Sequence, residues 1–429
     1  MRRSALLITA VTLAGCTGND LLNQVTDRDA GPRRDGGGNV SPFDAGSLDG
    51  GSRDGGNVTD GGARDGGAAT SCGFDALGDP DRPRVLLVGH GFTADPNTPG
   101  TQVRSMSVAA DGNLVDDGVR VNVGFRPARI EFLPFGGIAL VLGEDGEVAS
   151  LAVDGAANVT VVDTVALEPA LFGDLRIAPD GESAFAVGFD SSPTAGISTV
   201  RIACDGQLTV DTNAFFPLRL PQSLVPVGQD RWVILGGQAV FDPIDDDDVR
   251  LLSVSAGGFT SVVTADIYTD AISADRIAAK HDGSTVLIPN NSGFSTKTEQ
   301  LAIVDVVGDT LVDRGRITGL TDPADVLWSA DDQTALVALF QPGRVAVLAD
   351  QGNGLTEVDR ITGIGLAGQM APIERGMLNG RVFVSSVDAN GFPNIARLAI
   401  QGPGVVVSLG DFDFADGSEN IPSTIAVTP

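Results

Sequence analysis

The sequence predicts an all-β domain in which seven four-stranded blades close into a β-propeller, preceded by a long Asp/Gly-rich segment. Three observations predict it. Beyond Arg82 the chain carries short β-type apolar runs broken by turn dipeptides, with no helical periodicity. An apolar residue preceded by a polar one recurs seven times, at Ile130, Ile177, Leu224, Ile277, Val326, Met370 and Ile425. By subtraction these anchors lie 47, 47, 53, 49, 44 and 55 residues apart, close to the ~40–50 residues of one propeller blade.

Composition narrows the function classes. Of 429 residues, 42% are apolar, enough for a large core. Asp and Glu number 56 against 28 Lys and Arg, a net charge of −28. That balance excludes nucleic acid as the main partner, because phosphate binding needs clustered Lys and Arg. Two histidines, one tyrosine and three cysteines exclude His/Cys zinc clusters, haem and iron–sulfur ligation.

In chain order, the first element is an address. A basic start, Met1-Arg2-Arg3, leads into a short apolar run from Ala5 to Ala14, the outline of a secretory signal too short to span a bilayer. Its ending, Leu13-Ala14-Gly15-Cys16, resembles the lipobox of bacterial lipoproteins. The resemblance implies cleavage after residue 15, acylation of Cys16 on sulfur and amine, and membrane attachment through several acyl chains. Thr17 stands where enteric lipoproteins kept at the inner membrane carry Asp, so the resemblance implies the outer membrane, with the domain facing the periplasm or the exterior. An ordinary cleaved signal with a coincidental cysteine is the alternative.

Residues 16–83 form the second element. Arg34-Asp35-Gly36-Gly37, Arg53-Asp54-Gly55-Gly56, Thr59-Asp60-Gly61-Gly62 and Arg64-Asp65-Gly66-Gly67 repeat one unit almost without large side chains. Nothing there offsets the entropy of ordering a backbone, so a disordered tether is expected. The ligand alternation of a calcium loop is missing from it.

The ring, residues 84–429, is the third. Asp-Gly turn signals stand at Asp111-Gly112, Asp145-Gly146, Asp154-Gly155, Asp180-Gly181, Asp205-Gly206 and Asp282-Gly283. A second apolar run follows six of the anchors: Ile138–Leu142, Ala184–Val187, Trp232–Leu235, Val286–Ile288, Ala335–Leu339 and Val382–Val384. The seventh run, Val85–Val88, has no anchor before it, whereas Ile425 is an anchor with no run after it. The C-terminal strand is therefore expected to complete the first blade. Arg176-Ile177-Ala178-Pro179-Asp180-Gly181 followed by Ala184-Phe185-Ala186-Val187 resembles the YVTN-type and lactonase-like propeller repeats. The family's tyrosine is replaced by Leu, Phe or Trp, and the aspartate–tryptophan signature of WD repeats is absent. A two-sheet sandwich is the structural alternative; it explains neither the period nor the split blade.

The residue before each anchor is polar in all seven blades: Arg129, Arg176, Ser223, Arg276, Asp325, Gln369 and Thr424. First strands line a propeller's tunnel, so Arg129, Arg176 and Arg276, with Asp325 and Gln369, are the candidate ligand-binding residues, three arginines suiting a carboxylate or sulfate. The competing expectation is polar strand starts, with Arg276 and Asp325 pairing across adjacent blades. His90 and His281 read as a blade-end and a turn residue, and no catalytic constellation is placed. Calcium is the one cofactor weighed, at the run Asp245–Asp248 or at Asp411, Asp413, Asp416 and Glu419, which sit one residue off a calcium-loop spacing. Export makes a disulfide between Cys72 and Cys204 plausible: Cys204 falls in a third-to-fourth-strand turn on the face where the chain reaches the ring. Two unpaired thiols are the alternative. Together these features describe an outer-membrane-anchored lipoprotein presenting a noncatalytic binding module to an envelope protein, a glycan or a small anionic ligand. The alternative, implied by the resemblance, is a lactonase-like hydrolase, favoured if a histidine or an acid meets the arginines in one cleft.

Overall fold

The computed structural model describes residues 82–92, 99–168, 171–189, 195–236, 249–255, 258–268, 274, 276–291, 300–340, 343–350, 354–387, 392–414 and 422–429. Cys16, Cys72, Asp245–Asp248, Asp416 and Glu419 lie outside them. Among the described residues the strands form seven antiparallel sheets, and no helix is long and apolar enough to cross a membrane. The fold is a seven-bladed propeller.

Each anchor marks the innermost strand of a blade. In blades 2 to 7 these strands are Pro127–Phe132, Leu171–Ile177, Pro221–Pro226, Ala278–Ala279, Pro323–Trp328 and Met370–Ile373. Ile277 immediately precedes the short strand of blade 5. Blade 1 is closed as expected: Thr424–Val427 pairs antiparallel with Arg84–Phe92, Ile425 opposite Val88. All seven second runs are second strands, and five of the six Asp-Gly turns carry positive φ at their glycine. In the turn at Asp154-Gly155 the left-handed conformation falls on Ala157 instead, at φ 62°.

The second strands are nearly continuous apolar runs because each is buried on both faces. Leu86 and Val88 pack toward blade 7 with Phe383 and Ile395, while Val85 and Leu87 pack toward blade 2 with Ile130 and Val141. The same alternation yields an apolar layer between every pair of neighbouring blades around the ring. Side-chain polar atoms stitch the inner strands as well. The Ile130 N–H donates to Thr424 Oγ1 at 3.0 Å, Leu224 N to Asp174 Oδ2 at 3.0 Å, Ile277 N to Ser223 Oγ at 3.1 Å and Met370 N to Asp325 Oδ2 at 2.7 Å. Each bond links the inner strand of one blade to the next.

Because every blade is a meander, first-to-second and third-to-fourth turns share one face of the ring, the turn face. Second-to-third turns and crossovers between blades share the other. Arg82 sits on the turn face, donating to the Phe135 and Pro429 carbonyls at 2.9 and 3.0 Å. Cys204 lies on the same face and is disulfide-bonded. The chain's other cysteines, Cys16 and Cys72, are outside the described residues.

Candidate functional site

Period-2 alternation puts every second residue of an inner strand toward the tunnel. In blade 2 these are Arg129 and Glu131, and in blade 3 Asp174 and Arg176. Asp174 is fully buried between two arginines: Arg129 Nε lies 3.2 Å from Oδ1 and Arg176 Nε 3.3 Å from Oδ2. Ser223 Oγ donates to Oδ2 at 2.7 Å, and Leu175 N to Oδ1 at 3.0 Å. Burial opposes ionisation here, but Arg176 and Arg129 outweigh it and hold the carboxyl below the usual range. Burial likewise lowers Arg176, and the carboxylates of Asp174, Glu131 and Asp325 more than reverse that effect.

The three arginines therefore do not form the bare positive cluster that the aligned column suggests. Asp174 neutralises the two deeper ones. Asp325 does not pair with Arg276 either: its oxygens accept the Val326 and Met370 N–H groups at 2.8 and 2.7 Å. Ser223, Asp325 and Thr424 are thus committed to holding blades together. Gln369 is tied through its backbone N–H to Ser385 Oγ at 2.9 Å. None of these four lines the cavity described next.

That cavity, about 520 Å³, opens at the tunnel mouth on the turn face. Its charged lining is Arg176, Arg276, Lys280, His281, Glu131 and Glu374, and its walls are apolar segments such as Val225–Val227 and Leu327–Trp328. Gly283 shapes the rim. Its φ is +72°, and a Cβ there would stand 2.0 Å from the Val227 carbonyl, so the blade 5 turn lies against blade 4 only with glycine. Arg276 forms no ion pair among the described residues, and its Nη1 reaches only the Met370 carbonyl at 3.4 Å. Burial first, then Arg176, push its guanidinium down to about 10, with Asp325 and Glu131 offsetting part of the effect. Lys280 stacks over Trp328, Nζ 5.0 Å from the ring centroid, and likewise forms no ion pair among the described residues, its charge acting at longer range on the Asp282 carboxylate.

Both sequence-flagged histidines are placed. His90 is buried at the opposite end of the second strand of blade 1, edge-on to Phe414 at 5.7 Å. His281 lines the cavity and joins three turns, Nδ1 lying 2.7 Å from Asp332 in blade 6 and Nε2 3.2 Å from Glu374 in blade 7. Glu374 first, then Asp332 against the cost of burial, raise its pKa to about 9. His281 is accordingly an imidazolium at neutral pH. Asp411 and Asp413 are exposed on the outer strand of blade 7, and no group of three His, Cys, Asp or Glu among the described residues is placed to hold a metal.

No described protein family and no curated protein matches the sequence. Solved structures do match. A candidate 6-phosphogluconolactonase of Bacteroides uniformis aligns over 81% of this chain and 100% of its own, with TM-score 0.63 and 12% identity. The periplasmic gluconolactonase of Pseudomonas aeruginosa aligns over 81% and 99%, with TM-score 0.59 and 15% identity. The fold they share with this chain is the propeller. What is shared at this identity is the architecture, and the residues that furnish this propeller's cavity are read from its own side chains.

Glu131 in the cavity wall and Asp174 between the arginines escape an alignment of single anchor positions. The signal for both was present: each is an acid two residues from a tunnel arginine on the same strand.

Proposed function

We propose that this chain is a lipid-anchored protein of the bacterial outer membrane whose propeller binds small anions without transforming them. The observation that carries the binding reading is Arg276, a half-buried guanidinium that forms no ion pair among the described residues and lines a cavity that also holds Lys280. A desolvated charge without a close ion-pair partner is costly, and a bound carboxylate, sulfate or phosphate relieves that cost. The strongly acidic remainder of the protein makes this concentration of cations selective by contrast. The anchor reading rests on Leu13-Ala14-Gly15-Cys16. The cavity is tested by calorimetric titration of small oxyanions against the protein and Arg276→Ala. Binding is expected only with Arg276 present, and equal heats from both proteins refute the site. The anchor is tested by Cys16→Ala, which is expected to leave the membrane fraction.

A lactone hydrolase is the second reading, favoured by one observation: His281 and Glu131 share a cavity with two arginines, on a fold that includes proteins described as gluconolactonases. His281 is a poor general base there because Asp332 and Glu374 keep it protonated. Hydrolysis of gluconolactone that vanishes in Glu131→Gln decides for the enzyme.

A further inference from the structure

We propose that the cavity takes up its anion together with a proton, and that Glu131 is the group that receives it. This rests on the anion-binding reading above.

Glu131 lines the cavity beside Arg176 and Arg276, and one of its oxygens accepts the Ile177 N–H. That bond anchors the carboxyl in the same cavity wall as Arg276, close enough for the two charges to act on each other. The charged groups around it are Arg129 on its own strand, Asp174 and Arg176 on the blade 3 strand, Arg276 in blade 5 and Asp325 in blade 6. Lys280, His281 and Glu374 complete the cavity wall. The other acids are already committed. Asp174 sits between two arginines, Asp325 holds two backbone N–H groups, and Glu374 meets the His281 ring. Among the described acids, only Glu131 combines a place in the wall with the absence of an ion pair.

Its titration agrees with that placement. Burial, reinforced by Asp174, raises the Glu131 carboxyl above its ordinary range despite Arg176 and Arg276. His281 already carries its proton up to about pH 9, and Asp174 stays ionised, so neither takes up a proton when an anion arrives near neutrality. Like-charge repulsion between an ionised Glu131 and the ligand opposes binding, and protonation removes it. By reciprocity the bound anion strengthens proton binding by the same factor.

Sulfate is a suitable probe because its charge is constant from pH 5 to 8. Its affinity for the full chain should fall as pH rises through the titration of Glu131, approaching about tenfold per pH unit. Glu131→Gln keeps an oxygen for the Ile177 N–H and imitates the protonated acid. It should bind sulfate across that range with a flat pH profile, at or above the best wild-type affinity. Calorimetry in two buffers of different ionisation enthalpy should show proton uptake in the wild type and none in the variant. A flat wild-type profile, or a variant that keeps the wild-type slope and proton uptake, overturns the coupling while leaving anion binding intact. No sulfate binding by either protein at any pH overturns the anion reading and this inference with it. A thermal melt matching the wild type confirms that the variant is folded.

Discussion

Asp174→Ala is the most informative single perturbation of the ring. The substitution removes a fully buried carboxylate and leaves Arg129 and Arg176, themselves 3% and 7% exposed at the side chain, without the charge between them. It also strips acceptors from Leu175 N, Leu224 N and Ser223 Oγ. Breaking a buried ion pair from one side costs about 3–5 kcal/mol. Unfolding entropy near ~2.1 cal/mol/K per residue gives a ring of roughly 350 residues about 0.7 kcal/mol/K, so the melting midpoint should fall by about 4–7 °C. Ser223→Ala removes one hydrogen-bond donor from the Asp174 carboxylate and orphans the Ile277 N–H but leaves the ion pairs in place, a loss of about 1–3 kcal/mol, or about 1–4 °C. Thermal unfolding followed by far-UV circular dichroism at one scan rate measures both. Because Asp174 titrates below its unfolded value, its contribution is present above about pH 4 and is lost as pH falls through the folded value. The gap between wild type and Asp174→Ala should therefore persist from neutrality to about pH 5 and narrow in stronger acid. A fall of under 2 °C at pH 7, or equal effects from the two substitutions, would refute the reasoning that this carboxylate holds the buried arginines.

His281 supplies the opposite sign: its folded pKa, about 9, lies above the unfolded value, so its contribution is complete below about pH 6.5 and is lost as pH rises through 9. The melting difference between wild type and His281→Gln should accordingly be largest in mild acid and vanish above that range; a difference that grows with pH counts against it. Deleting residues 421–429 removes the inner strand of blade 1 and with it Thr424 Oγ1, so the ring should lose its cooperative transition, and an unchanged melt would argue against closure by that strand. For the disulfide of Cys204, thiol titration of the denatured, unreduced, lipidated protein should find no free thiol, since Cys72 is the partner proposed for it; two free thiols exclude the bridge.

The architecture was legible because its signal is repetitive. The positions before Leu224, Val326 and Ile425 are polar for the same mechanical reason, a side-chain oxygen that accepts the backbone N–H of the next blade's anchor, and the anchor spacing survives where the outer strands have drifted. The split blade was legible from a run without an anchor, Val85–Val88, and an anchor without a run, Ile425. The site was harder to read. A column of anchor neighbours exposes Arg176 and Arg276, which do line the cavity, but it treats Arg129 as their equal. It also ranks Asp325 and Gln369 above Glu131. Whether an arginine is paired depends on acids contributed by other blades, and that relation appears only when the ring is closed. His281 illustrates the same point: its partners lie 51 and 93 residues away, in two different turns.

The way blade 1 is built also decides how the molecule bears load. The chain reaches Arg82 on the turn face and continues as Arg84–Phe92 toward the opposite face, flanked on one side by Thr424–Val427 and on the other by Pro99–Val108. A pull on the preceding segment, directed out of that face, runs along this strand. It strains two ladders at once in shear, from Arg84↔Val108 to His90↔Gln102 and from Leu86↔Val427 to Gly89↔Thr424, so no single hydrogen bond yields first. Attachment through an outermost strand would let the same force peel bonds off one by one. Resistance to forced unfolding is set by the barrier along the pulling direction, and here the point of attachment sets the whole first blade against the pull.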